Sequence, residues 1–350
     1  MKTVRIEASQ NYEIKIASGL LSHCGDLTAA LKKPCAVALV SDDIVYNLYG
    51  EMIETSYEKA GFSVATFILP NGERSKNFGM VEKLLEFMAE QQITRSDLVV
   101  ALGGGVVGDL AGFAAAIYQR GVAYLQIPTT LLAAVDSSVG GKTGVDLHSG
   151  KNLAGAFFQP LAVFCDTETF KTLPQSVFND GLCEVIKYGC IVDESLLAVL
   201  LERNINDKLT DIVAACVTIK GDIVMRDEFD LNERQLLNFG HTAGHAIEHL
   251  SDYTITHGRA VAMGMRIMAQ NAGCASDLLK IFQKYGIDSD CPYTARELAK
   301  KALSDKKRSG GIITLVLLEK IGRAYLEKID VNELEGIFAK GLGLNNGCKD

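Results

Sequence analysis

The segment Asp97-Leu-Val-Val-Ala-Leu102 runs without a polar interruption into Gly103-Gly-Gly105, and this junction restricts the fold more than any other stretch of the chain. An aliphatic run of strand length, rich in valine, belongs in a parallel sheet covered on both faces. Glycines directly after it mark a tight strand-to-helix turn, because a residue without Cβ lets the backbone reverse closely. Upstream, Ala36 to Val40 and Ser63 to Leu69 read the same way, ending at Ser41-Asp-Asp43 and at the turn Pro70-Asn-Gly-Glu73. Between strands, the spacing of Met80, Leu84, Leu85 and Met88 predicts a helix over about residues 75 to 91. This alternation predicts a parallel sheet with helices on both faces. Beyond about residue 170 strand signals nearly vanish. Helical periodicity covers Gly181 to Glu202, Lys208 to Met225, Thr242 to Leu250 and Ala260 to Leu278. The expected fold is therefore α/β, with a Rossmann-like parallel-sheet domain over 1–165 and a mainly α-helical domain over 166–350. A length of 350 residues suits two domains with a cleft between them.

Composition narrows the partners. A net charge of −8 disfavours nucleic acid and anionic membranes. No apolar run reaches the roughly 18 residues of a membrane span, and Met1-Lys-Thr-Val-Arg-Ile lacks the apolar core of a signal peptide. Nine scattered cysteines without a C-x-x-C pair imply reduced thiols and a cytoplasmic setting. An anionic small molecule would need a local basic pocket in so acidic a chain.

Half of the six histidines fall in Asn238-Phe-Gly-His-Thr-Ala-Gly-His-Ala-Ile-Glu-His249, and His257 follows in His-Gly-Arg. On a helix His241, His245 and His249 share one face, and imidazoles a turn apart suit a divalent metal; the plain alternative is a helix with partly exposed histidines. Gly103, Gly105 and Gly108 match G-x-G-x-x-G in the strand-then-helix context in which such a loop cradles a pyrophosphate. The ribose-binding acid usual some 20 residues on is absent, since that region reads Gln126-Ile-Pro-Thr-Thr130, so a standard dehydrogenase fits poorly. Gly141-Lys-Thr143 is no phosphate-binding Walker loop, because Asp136 stands where the pattern needs glycine. Glu184 and Lys187 are either a surface ion pair or a carboxylate ligand with a neighbouring cation. Lys142, Lys151, Lys220, Arg120, Arg234 and Asp305-Lys-Lys-Arg308 are the cations available for a basic pocket.

These stretches together resemble the 3-dehydroquinate synthase family of sugar phosphate cyclases. The resemblance runs from Asn71-Gly-Glu to Asp305-Lys-Lys through Gly103-Gly-Gly-Val-Val-Gly-Asp109, Pro128-Thr-Thr-Leu-Leu132, Val135-Asp-Ser-Ser-Val-Gly-Gly-Lys142, Gly150-Lys-Asn152, Glu184-Val-Ile-Lys-Tyr188 and Asn238-Phe-Gly-His-Thr-Ala-Gly-His245. Arg259 departs from the glutamate common after His-Gly, and Cys183 from the usual alanine. The resemblance implies an active site in the cleft, with Zn2+ or Co2+ held by Glu184, His241 and His257. It implies NAD+ bound by Asp42, by Asn71, Gly72, Glu73, Arg74, Ser75 and Lys76, by Gly105, Val106, Val107, Gly108 and Asp109, by Thr129, Thr130, Lys142 and Lys151, and by Thr169, Phe170, Lys171 and Thr172. Substrate handling falls to Arg120, Asp136, Lys142, Asn152, Lys187, Lys220, Arg234, Asn238, His245 and Lys306, with Lys307 as the alternative to Lys306; His249 becomes structural.

The implied reaction converts 3-deoxy-D-arabino-heptulosonate 7-phosphate to 3-dehydroquinate and phosphate, in aromatic amino acid biosynthesis. Oxidation at C5 acidifies the C6 proton, phosphate is eliminated, the carbonyl is reduced again, and an intramolecular aldol closes the ring. The enzyme would be a phosphorus–oxygen lyase, a likeness that also implies a homodimer. Rivals are another sugar phosphate cyclase, which would change the substrate contacts, and a metal-dependent glycerol or alcohol dehydrogenase, which would lack the basic cluster. A non-catalytic binding module has no reason to combine all these residues.

Overall fold

A computed structural model describes residues 1–304 and 311–343. The chain forms two compact units, one of Met1–Pro174 with Leu209–Phe229, the other of Gln175–Lys208 with the chain from Asp230 onward. A single cut near residue 165 misses this threading. The helix Leu209–Arg226 returns to the first unit, where it lies against β1 (Lys2–Ile6) and the turn Ala133–Ser137. Its apolar face is covered by the first unit's Ile6, and position along the chain carries no sign of that.

The first unit holds β1, β2 (Tyr12–Ala17), β3 (Ala36–Asp42), β4 (Ser63–Leu69), β5 (Leu98–Gly103), β6 (Ala123–Pro128), β7 (Lys142–Leu147), β8 (Gly150–Phe157) and β9 (Ala162–Asp166). Seven of these make one sheet, ordered β1-β2-β9-β6-β5-β3-β4. Only β1 and β2 pair antiparallel within it, and every other pairing is parallel, as the buried aliphatic runs require. Alternate residues of β5 feed opposite layers. Val99 and Ala101 pack with Leu84, Met88 and Leu110, whereas Leu98, Val100 and Leu102 pack with Ile53, Tyr57 and Ile127. The expected helix after β4 spans Phe78–Glu90, its first turn capped by the Asn77 side chain on the Met80 amide. β7 and β8 form a separate antiparallel hairpin.

The second unit is mainly helical. The periodicity read over Gly181 to Glu202 is two helices, Gln175–Ile191 and Glu194–Glu202, because the Asp193 carboxylate caps a new start at Ser195. The stretch Ala260 to Leu278 likewise splits into His257–Asn271 and Ala275–Tyr285 around Gly273, whose φ of 74° ends the first helix. A hairpin of β10 (Ile312–Lys320) and β11 (Arg323–Asp330) went unforeseen, since a short apolar run such as Ile312-Ile-Thr-Leu-Val has no period that separates strand from helix. Among the described residues no helix is long and apolar enough to cross a membrane.

The helices His241–Leu250 and His257–Asn271 cross at glycine. A Cβ on Gly244 would lie 3.1 Å from the Ala260 carbonyl oxygen, and one on Gly264 would overlap the Gly240 carbonyl oxygen outright. Both partners are backbone, which cannot rotate aside. Gly264→Ala should therefore lower stability by at least about 1–3 kcal/mol, the usual cost of overpacking. Urea denaturation measures this, and an unchanged midpoint would show that the helix contact is looser than described.

Candidate functional site

In the second unit, Gly181 through Ile191 are buried without exception, so Glu184 enters an interior that offers no water to its carboxylate. Donor atoms of Glu184, His241 and His257 all lie within 4.8 Å of one another. His241 Nε2 is 3.6 Å and His257 Nε2 3.7 Å from Glu184 Oε1. A tetrahedral ion with ligand bonds of about 2.0–2.1 Å sets its donors about 3.4 Å apart, so two imidazoles and a carboxylate at this spacing fit a divalent metal such as zinc. Lys187 lies one turn on from Glu184, 1% exposed, in ion-pair contact with it. The pair is thus an interior one and no surface decoration.

The two imidazoles titrate apart. Burial, reinforced by the Lys187 charge, pulls the His241 ring down to about 3. Burial also works against charge on His257, but the Glu184 and Glu248 carboxylates outweigh it and hold that ring up to about 10. His241 Nδ1 lies 3.0 Å from the Phe239 carbonyl, and His257 Nδ1 lies 3.1 Å from Glu248 Oε2.

The one-face reading of the histidine helix needs correction at its far end. The rings of His245 and His241 are 5.4 Å apart, and those of His245 and His257 5.9 Å. His249 instead meets Tyr253, whose hydroxyl is 3.0 Å from its Nδ1. The third member of the face is Glu248, seven residues after His241, which sequence reasoning passed over although a two-turn spacing singles it out. Asn238, His241 and His245 line a cavity of 470 Å³ together with Asp230, Thr242 and the hairpin residue Thr314. Arg234 is buried nearby in sequence, in the segment Glu233–Asn238. Lys306 and Lys307 lie outside the described residues.

In the first unit, the residues expected to hold a dinucleotide lie at carboxyl ends of parallel strands, except Lys142 and Lys151, which stand on the antiparallel β7–β8 hairpin. Asp42 ends β3, Asn71 to Lys76 follow β4, Gly105 to Asp109 follow β5, Thr129 and Thr130 follow β6, and Thr169 to Thr172 follow β9. Open α/β sheets bind their ligands at that edge. The helix Gly105–Ile117 starts there, and its first amides have no partner within the helix, which suits a phosphate. A Cβ on Gly108 would sit 2.6 Å from Gln126 Oε1 on β6, so the end of that side chain would have to shift to admit one. The Thr129 hydroxyl is buried with no hydrogen-bond partner among the described residues, a polar atom left for a ligand. Some of the expected side chains are already engaged. The Asp42 carboxylate caps the helix Asp43–Lys59, the Thr169 hydroxyl donates to the Asp166 carbonyl, the Thr172 hydroxyl lies 2.7 Å from that of Tyr49, and Lys171 pairs with Glu168 on the surface.

Beside this edge the cations meet acids. Lys76 Nζ, buried, donates at 2.6 Å to Asp109 Oδ2 and at 2.6 Å to Asn152 Oδ1. Lys220 Nζ donates at 2.7 Å to the carbonyl and to the carboxylate of Asp136. Asp109, Asp136, Lys142, Asn152 and Lys220 line a cavity of 530 Å³. Lys142 opens β7, and a Walker loop would have run into a helix there, so the rejection of that motif holds. Lys151 lies on β8 close enough to Glu73 to act on its charge. Arg120 is exposed, in a turn with a φ of 67°, and stands outside the lining of this cavity.

Such a sheet edge and such a ligand triad define a nucleotide- and metal-dependent α/β enzyme. The chain belongs to the 3-dehydroquinate synthase family. The family's N-terminal model matches residues 66–180 and its C-terminal model residues 181–308. A 3-dehydroquinate synthase of Clostridium acetobutylicum is 43% identical over 348 residues, covering 95% of this chain and 98% of that protein. The Enterococcus faecalis enzyme of the same name is 39% identical over 358 residues, covering 98% and 100%. Among solved structures, 2-deoxy-scyllo-inosose synthase complexed with carbaglucose-6-phosphate, NAD+ and Co2+ superimposes with a TM-score of 0.86 at 26% identity, over 97% of this chain and 100% of that one.

The histidine titrations predict how metal uptake depends on pH. The His257 ring holds its proton up to about 10, and a ligand nitrogen must release it. Loading the metal-free protein at about pH 7.5 should therefore release close to one proton per ion, with affinity rising about tenfold per pH unit through neutrality. His241, neutral down to about 3, adds nothing in that range. Calorimetry in buffers of different ionisation enthalpy measures the proton count; no release would contradict the assignment of His257.

Proposed function

We propose that the chain catalyses its family's reaction as a phosphorus–oxygen lyase, converting 3-deoxy-D-arabino-heptulosonate 7-phosphate to 3-dehydroquinate and phosphate within aromatic biosynthesis. The observation that carries the reading is the Glu184–His241–His257 triad set beside His245 and Asn238, in a chain whose other unit presents a dinucleotide edge. NAD+ and a divalent cation, when bound, supply the hydride acceptor and the Lewis acid. Everything else falls to the chain's own residues.

Their task is to hold a sugar acid phosphate, which carries both a carboxylate and a phosphate, in one geometry. Lys142, Lys187, Lys220 and Arg234 offer charge-assisted hydrogen bonds to carboxylate and phosphate. Asp136 keeps the Lys220 ammonium fixed, and Asn152, itself held by Lys76, offers an amide to the sugar hydroxyls. His245 holds or passes a proton at a ring nitrogen as the C6 proton leaves and the phosphate departs. Hydride leaves C5 and returns to it, so the reaction is redox-neutral and most of the protein's contribution is positioning. The likeness to the family supports a homodimer; Arg120 is exposed and outside the cavity lining. Eight free cysteines among the described residues accord with a cytoplasmic enzyme.

The direct test is phosphate release from the heptulosonate phosphate with substoichiometric NAD+. Many turnovers without lasting NADH absorbance support the reading, whereas NADH accumulating in proportion to product would indicate a dehydrogenase. Turnover of a hexose 6-phosphate in place of the heptulosonate would move the chain to the activity of its structural neighbour.

Two sets of variants assign the residues. Lys142, exposed at the start of β7 and lining the 530 Å³ cavity, should on replacement by Ala cost on the order of 2–5 kcal/mol in kcat/KM by leaving a bound substrate anion unpaired, with metal content unchanged. Joint loss of metal and activity would instead mean a damaged fold. Among the histidines, His241→Ala should lose the metal, His245→Ala should keep it and lose turnover, and His249→Ala should change little beyond stability. A His249→Ala protein that lost metal while His257→Ala kept it would reverse the ligand set.

A further inference from the structure

His241 and His257 turn the same ring atom, Nε2, toward Glu184, but their other nitrogens are held by unlike partners. His241 Nδ1 faces a backbone carbonyl, that of Phe239 at 3.0 Å. His257 Nδ1 faces a carboxylate, Glu248 Oε2 at 3.1 Å, and Glu248 is only 4% exposed. With each ring neutral, an acceptor at Nδ1 fixes the proton there and leaves the Nε2 lone pair directed at the ligand cluster. A carbonyl does this and no more. A buried carboxylate also pushes electron density into the ring, which makes Nε2 the stronger donor of the two. Helix phase puts Glu248 in place: seven residues after His241, it falls on the same face, whereas His249 has turned to Tyr253.

We propose that Glu248 is a positioning residue for the metal site, accepting the Nδ1–H of His257 so as to fix the tautomer and ring plane of that ligand and raise its basicity. The inference rests on the reading of Glu184, His241 and His257 as the metal ligands. It also explains why an acid is tolerated inside an otherwise mostly apolar helix pair, where an unpartnered carboxylate would be costly.

Glu248→Gln tests it cleanly, because glutamine keeps the shape and one acceptor oxygen while removing the charge. Metal-free wild type, Glu248→Gln, Glu248→Ala and His257→Ala proteins are titrated with Zn2+ against a competing chelator, and the visible spectra of their Co2+-loaded forms are recorded. Glu248→Gln should bind one ion with affinity reduced about 10–100-fold and a shifted Co2+ absorption, and Glu248→Ala should bind at least as weakly. His257→Ala should lose tight binding. Wild-type affinity with an unchanged Co2+ spectrum in Glu248→Gln overturns the proposal, even if the melting temperature falls, because a merely structural carboxylate would move stability and not the ligand field. A stoichiometry falling from two ions to one would make Glu248 itself a ligand and also overturn it. If wild type binds no ion, or His257→Ala binds as wild type does, the metal reading itself has failed and Glu248 falls with it.

Discussion

The carboxylate of Glu184 is the constraint on which the second unit depends. It lies at 0% exposure, in a helix whose inner half has no contact with solvent. An isolated carboxylate there would be prohibitive, so a cation and polar partners have to converge on it. Lys187 reaches it from the next turn of the same helix, and two imidazoles reach it from two other helices. The requirement fixes the crossing of those helices, and the glycines at Gly244 and Gly264 meet it by letting their backbones approach. A residue that reads locally as half of an ion pair thus organises the packing of three helices.

The first unit was the more legible in sequence because its signals are local. A parallel strand covered on both faces has to be a continuous aliphatic run, and a run that ends in glycine has to turn, so β3, β4 and β5 were readable to within a residue or two. Placing the dinucleotide-type residues on one edge follows from the same topology. The histidine cluster was legible as a cluster, but its internal roles were not. A helix face spans a range of angles, and i+7 and i+8 both fall near it, so periodicity could not choose between Glu248 and His249. His257 lies on a different helix, and only the fold brings its ring within 5.4 Å of His241.

Other features were hidden because they depend on who covers whom. The β10–β11 hairpin, some of whose residues line the cavity beside His245, is an apolar run like many helical ones. The breaks at Asp193 and Gly273 are single-residue events inside otherwise continuous periodicity. Lys76 was expected only as an end of the NAD+-binding turn Asn71 to Lys76, yet it is buried and joins Asp109 to Asn152, residues far apart in the chain. None of these contradicts local propensity; the two helix breaks are settled within a residue or two, and the Lys76 contacts span long stretches of sequence.

The return of Leu209–Arg226 to the first unit bears on how the chain is made. A ribosome that has released residues 1–174 has released the whole seven-stranded sheet, but not the helix that covers Ile6. Between those two moments the first unit presents an uncovered apolar edge and an Asp136 without its Lys220 partner. Completion of the amino-terminal half therefore waits on a segment encoded after the second unit has begun. A fragment ending at Pro174 would be born as a sheet missing one of its own walls.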